Sequence, residues 1–279
     1  MPSQYQEEQY GGGMQPRMTL PPIGVMVKRI VLVNVAVYVI SLLGYLIFGS
    51  QELLTRSVGL APDVWRNFFP FLPVWQIGTY GFLHSEQPMH LLYNMLGLYF
   101  FGTMVEATVG STRFLVHYLA AIAVGGLAFL LLGVITGDYA PVVGASGGVL
   151  AMIVAAACFS PNRTVIFILF PIQLKYLAGA VVGLDLINGA LSMRSGGGSS
   201  VAHVVHLAGA AYGFLAVKKG WIWADPVQRQ RVRRTIAVEE RRQSDAQRMD
   251  ELLEKIHNEG INSLDRRERE FLKRVSAKK

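Results

Sequence analysis

Residues 142–160 read VVGASGGVLAMIVAAACFS, nineteen residues without a single charge. As a helix rising 1.5 Å per residue they would extend about 28 Å, close to the roughly 30 Å of a bilayer's hydrocarbon core. The run is apolar throughout, so it has no polar face to offer water, and its apolar residues do not alternate as a barrel strand's would. Five further runs of at least 17 residues repeat the pattern: Ile30–Phe48, Met89–Val105, Phe114–Thr136, Tyr176–Met193 (interrupted by Asp185) and Val201–Val217. Backbone groups in hydrocarbon have no water to bond, so such runs predict helices. The expected fold is an all-α, polytopic six-helix membrane bundle over residues 28–217.

Composition agrees. The chain has 279 residues, 52% of them apolar and 16% charged, against about 25% charged in soluble domains. Residues 30–217 carry six Lys/Arg and six Asp/Glu, whereas residues 218–279 carry seventeen and eleven. The net charge of +7 therefore describes a tail. Its basic residues are interleaved with acids, which argues against a nucleic-acid partner. A single cysteine, Cys158, excludes a disulfide framework and is read as a small buried apolar residue. Residues 1–27 are polar, rich in Gln, Gly and Pro, and lack the apolar core of a signal peptide. They are expected to be disordered. With both termini cytoplasmic, 23 Lys/Arg lie inside and three (Arg56, Arg66, Arg194) outside, the orientation the positive-inside rule favours in a cell inner membrane. Residues 49–88 then form a long outer segment whose aromatic runs suit the membrane interface.

Polar groups in membrane helices are costly and mark functional sites. In this orientation His90 and Asn94 lie in the first turns of span 2, Ser146 in the first turns of span 4, and His206 about a turn and a half into span 6. Three helices thus bring Ser, His, His and Asn to one depth below the outer surface. Ser146 stands among glycines at a helix start, where free N–H groups and the positive dipole end favour developing negative charge. Gly209 and Gly213 form a small-xxx-small face that lets two helices approach closely. If that face meets the start of span 4, His206 reaches the Ser146 hydroxyl. His90 and Asn94, four residues apart on one face, can both donate hydrogen bonds to an oxyanion.

These residues resemble the motifs of the rhomboid intramembrane serine proteases, in their bacterial form of six transmembrane helices and a short C-terminal cytoplasmic module. The matching segments are His90-Leu-Leu-Tyr-Asn94, Gly-Ala-Ser146-Gly, and Ala202-His203-Val-Val-His206-Leu-Ala-Gly209 with Gly213. Weaker matches run from Gly102 through Glu106, Gly110 and Arg113 to Tyr118. The resemblance covers roughly residues 28–217. It implies a Ser–His dyad with Ser146 as nucleophile and His206 as general base. Oxyanion stabilisation would come from His90, Asn94 and the Ser146 N–H, and the substrates would be single-pass membrane proteins. No cofactor or metal is implied. Two departures are visible. The family's common Trp-Arg pair is Trp75-Gln76, so the guanidinium donors that would anchor the outer loop are expected to be missing, and Leu150 stands where many members carry an aromatic.

Other residues receive structural readings. His203, one turn outward of His206, is a rival base, but the glycine spacing selects His206. Asp185 could orient a histidine, though a hydrogen bond to a neighbouring helix is the favoured reading. Glu106 and Arg113 are read as a loop-locking pair, and His84 as solvated or structural; His117 receives no role. The run 196–200 is read as a movable cap over the site. In the tail, apolar residues from Leu252 to Val275 suggest two short helices broken at residues 258–260, with arginines suited to anionic lipid or a partner. A non-cleaving rhomboid-fold pseudoprotease is disfavoured by intact Ser146 and His206. A small transporter is disfavoured by the scarcity of intramembrane charge and the lack of an internal repeat.

Overall fold

The computed structural model describes residues 22–137, 140–167, 170–195, 200–260 and 263–276. Helices stand over the apolar runs: α1 (Val25–Phe48), α5 (Pro88–Gly97) continued through a π-helical turn at Leu98–Gly102 into α6 (Thr103–Val109), α7 (Ser111–Thr136), α8 (Ser146–Phe159), α9 (Leu174–Ser195) and α10 (Ser200–Lys218). Between α1 and α5 lie three short helices, α2 (Glu52–Val58), α3 (Pro62–Asn67) and α4 (Gln76–Thr79). Among the described residues, Val25–Phe48, Ser111–Thr136 and Leu174–Ser192 are long and apolar enough to cross a bilayer. The architecture is that of an all-α membrane protein, with one addition. Thr164–Phe167 and Phe170–Gln173 pair as a two-stranded antiparallel hairpin between α8 and α9, which hydropathy did not signal.

Burial explains why α8 is apolar all round. Gly147 through Ile153 and Ala155 through Ala157 are buried, enclosed chiefly by α10 and α7. The outer helices are apolar on their exposed faces as well: Leu32, Ile40 and Ile47 on α1, Leu131 and Ile135 on α7, and Leu184 and Ile187 on α9 all face outward. A belt of exposed aliphatic side chains of this extent suits lipid and not water.

Several expected boundaries move, two of them for reasons visible in the hydrogen bonds. The first helix begins at Val25, five residues ahead of the expected Ile30, because Glu106 accepts hydrogen bonds from the Met26 and Val27 N–H groups, each 2.9 Å, and caps its N-terminus. Helix α8 starts at Ser146 instead of Val142, because Val142 exchanges both backbone hydrogen bonds with Leu60 (2.9 and 3.0 Å) and holds the approach to the helix extended. Residues 1–21, read as disordered, and 196–199, within the expected cap, lie outside the described residues.

The chain divides after Trp223 into two units. The second contains α11 (Pro226–Glu259) and α12 (Arg266–Ser276). The break at Gly260, in a left-handed conformation (φ +83°), is where the sequence placed it, but the helix before it is far longer than expected. At the start of α12, Asp265 and Glu268 form a reciprocal capping box: Oδ1 of Asp265 accepts from the Glu268 N–H (2.7 Å) and Oε2 of Glu268 from the Asp265 N–H (2.8 Å). Lys255 of α11 closes on the same Glu268 carboxylate at 3.0 Å, with Leu252 and Leu264 buried in the same unit.

Candidate active site

The residue that opens α8 is Ser146. Gly144, two residues earlier, has φ +130°, a conformation in which a side chain is strained, and its N–H bonds the Tyr80 carbonyl at 3.0 Å. A Cβ at Gly144 would lie 2.8 Å from His90 Nε2 and 3.6 Å from Ser146 Oγ, so the missing side chain is what leaves these two groups facing one space. The intrahelical ladder begins with the Val149 N–H to the Ala145 carbonyl (3.0 Å). The N–H groups of residues 146–148 precede it, as the orphan donors of a helix start do.

Helix α10 lies flush against α8. A Cβ on Gly209 would overlap the Gly147 carbonyl, and one on Gly213 the Ala151 carbonyl. The small-residue face inferred from sequence is therefore the contact face. The close approach carries His206 to the serine: its Nε2 is 2.6 Å from Ser146 Oγ. The other ring nitrogen, Nδ1, is 3.0 Å from Oδ1 of Asp185 on α9. His203 also bonds that oxygen through its Nδ1, at 2.7 Å. The two readings of Asp185 thus coincide, since the bond to the neighbouring helix is made to the histidines themselves. His203 is held there, one turn outward, and is not bonded to the serine.

His90 sits in the first turn of α5, after Pro88 at the helix start. Its Nδ1 lies 2.9 Å from Ser85 Oγ and receives the Ser85 backbone N–H at 3.4 Å. The Ser85 N–H directed at Nδ1 favours the tautomer whose proton is on Nε2, the nitrogen that faces Gly144 and Ser146. Asn94 is buried one turn further along α5 and donates its amide to the His90 carbonyl at 2.8 Å. It supports the turn that carries His90 and retains one amide hydrogen. Ser85 was not singled out in the sequence; the only sign was its place just before a Pro-marked helix start.

A model of the Rhomboid domain matches residues 72–222, more than half of the chain. The chain belongs to the rhomboid family. Curated relatives include the mitochondrial presenilin-associated rhomboid-like protein of Rattus norvegicus, 27% identical over 135 residues, and its Homo sapiens counterpart, 27% over 135 residues. The mitochondrial RHOMBOID-like protein 12 of Arabidopsis thaliana is 31% identical over 150 residues. Each match covers 47% of this chain, and it spans 34% of the two animal proteins and 43% of the plant one. Residues 237–278 match a second model, a family of unknown function (DUF6576).

Around the rhomboid core several structural readings change. Gln76 does anchor the outer segment despite replacing arginine. It is fully buried, accepts from the Ala61 N–H (3.2 Å) and Trp65 Nε1 (3.0 Å), and donates to the Arg56 carbonyl (2.6 Å). Glu106 does not pair with Arg113; besides capping α1 it receives the Ser111 hydroxyl at 2.5 Å, while Arg113 reaches the Val109 carbonyl at 3.4 Å. His84 is not solvated. It is fully buried in the outer segment with its ring edge-on to His90, centroids 5.1 Å apart, and neither ring nitrogen has a hydrogen-bond partner among the described residues. Burial, with a smaller push from His90, lowers its pKa from 6.5 to about 4. His117 pairs with Tyr212, Nδ1 to hydroxyl 2.6 Å, and Cys158 is half-buried and free.

Proposed function

We propose that this rhomboid is an intramembrane serine endopeptidase that cleaves single-pass transmembrane proteins through Ser146 and His206. The observation that carries the reading is the 2.6 Å contact between His206 Nε2 and Ser146 Oγ, within reach for direct proton transfer. In the proposed reaction the Ser146 hydroxyl gives its proton to Nε2 as Oγ attacks the peptide carbonyl. The carbonyl oxygen becomes an oxyanion, which the Ser146 N–H, His90 Nε2–H and the free amide hydrogen of Asn94 are suited to receive. The imidazolium returns the proton to the departing amine, leaving an acyl-enzyme. Water from the outer side, deprotonated by His206, then releases the new carboxyl end and regenerates the serine.

The reading takes both termini as cytoplasmic, in an inner membrane of bacterial type, supported by the Lys/Arg asymmetry. A cysteine introduced at exposed Ser57 should react with an impermeant thiol reagent in intact cells, and one in the tail should not. Labelling of the tail from outside would reverse the orientation. For the activity itself, purified protein in vesicles should cut a transmembrane reporter, and Ser146→Ala should reduce cutting to background. A folded wild type that binds reporters without cutting them would make the pseudoprotease reading the correct one.

A further inference from the structure

Asp185 is the one carboxylate in a run that hydropathy otherwise assigns to lipid, and its side chain is 12% exposed. A carboxylate in such a place is expensive unless its lone pairs are used. The geometry points to Asp185 as the positioning residue of His206. It fixes the imidazole in the tautomer that can take a proton from Ser146, and this inference rests on the serine-protease reading above.

A carboxylate oxygen only accepts. The 3.0 Å contact between Asp185 Oδ1 and His206 Nδ1 therefore requires the proton on Nδ1, which leaves the Nε2 lone pair facing the Ser146 hydroxyl at 2.6 Å. The opposite tautomer would set a lone pair against the carboxylate and an N–H against an oxygen that must lose its own proton. When Ser146 attacks, the charge appearing on the ring is 3.0 Å from an anion already in place.

His203 completes the device. Being three residues before His206, it shares that face of α10. Its Nδ1 bonds the same Oδ1 at 2.7 Å, and the two rings stand nearly perpendicular (87°). The shared oxygen is thus tied down from one turn outward while it holds the working ring. A device meant only to tie α9 to α10 would need one histidine, whereas here a single oxygen serves two, one of them the ring that meets Ser146. Asp185, His203 and His206 also offer atoms close enough to hold a metal ion, an occupancy that the test must separate.

The test uses the full chain in vesicles with the transmembrane reporter and compares wild type, Ser146→Ala, Asp185→Asn and Asp185→Glu. An amide at position 185 keeps the size and a hydrogen bond, but its NH₂ can donate to Nδ1 and stabilise the wrong tautomer. Asp185→Asn should lower kcat about 100- to 10,000-fold, in the range of the same change in other serine proteases, while KM changes by less than about threefold. Asp185→Glu should restore part of the loss, and chelators should leave the wild type unaffected. The second readout is nitrogen NMR of histidine-labelled wild type, in which His206 should carry its proton on Nδ1; this holds even if the variants misfold. An Asn variant within about threefold of wild type, an Nε2–H tautomer in the wild type, or activity lost to chelators would each overturn the positioning role. Residual cutting by Ser146→Ala would instead overturn the protease reading.

Discussion

His206 and His90 face the same serine from different helices, and each is held from behind by a different kind of partner. Behind His206 stands a carboxylate, Asp185, which can only accept; behind His90 stands Ser85, whose backbone N–H donates at 3.4 Å and whose hydroxyl lies 2.9 Å from the same nitrogen. The first arrangement leaves a lone pair towards Ser146, and the second favours a proton towards the same space. In the proposed mechanism two identical side chains take the parts of base and donor because of what lies on their far sides, not because of their own positions in sequence.

This contrast is most exposed to failure at its basic end. His206→Ala should cost at least about 10,000-fold in kcat/KM on the reporter, as loss of the base does in serine proteases. His203→Ala, which removes only the second tie on Asp185, should cost about tenfold or less. If the order is reversed, the base has been misassigned and the close packing at Gly209 and Gly213 does not select it.

The donor end should matter less. Loss of one oxyanion donor typically costs about 100- to 1,000-fold, so His90→Ala should fall there, measured as kcat with KM nearly unchanged. Asn94→Ala should cost less than His90→Ala, because one amide hydrogen is already used on the His90 carbonyl. Equal effects of His90→Ala and His206→Ala would erase the distinction between donor and base.

Much of this was legible in sequence, and its limits have physical causes. The apolar runs became helices because a chain in lipid has few other options. The His206–Gly209–Gly213 spacing fixed which histidine meets Ser146, since only small residues admit the Gly147 and Ala151 carbonyls so closely. What periodicity could not reveal was the partner behind each ring. Asp185 is eighteen and twenty-one residues from its two histidines, so only the packing of α9 on α10 reveals that one oxygen serves both. Ser85 lies in a turn with no pattern of its own. Gln76 shows the same limit, because replacing arginine with a shorter donor and acceptor looks like a loss until the buried Ala61 N–H, Trp65 indole and Arg56 carbonyl are seen around it.

Smaller effects follow from the outer segment. Ser85→Ala removes the hydroxyl near His90 Nδ1 but keeps the backbone N–H, so kcat should fall only roughly 2- to 12-fold, matching the roughly 0.5–1.5 kcal/mol of one neutral hydrogen bond. His84 tests stability instead of rate. Its folded pKa of about 4 lies below the ordinary 6.5, so between these values the unfolded chain binds the extra proton. Stability is therefore full above pH 6.5 and declines as pH falls towards 4. His84→Phe should flatten that part of the Tm–pH curve with little change at pH 8. An unchanged slope would mean that His84 is hydrated in the folded protein.

The most direct measurement of the central claim, that His206 activates Ser146, is covalent labelling of the detergent-solubilised protein with a fluorophosphonate. An activated serine reacts with such reagents, whereas a packing serine is inert. A single adduct on Ser146 is expected, absent in Ser146→Ala and slowed at least about 1,000-fold in His206→Ala. A wild type that cuts the reporter yet is never labelled, or is labelled as fast in the His206→Ala variant, would contradict the account.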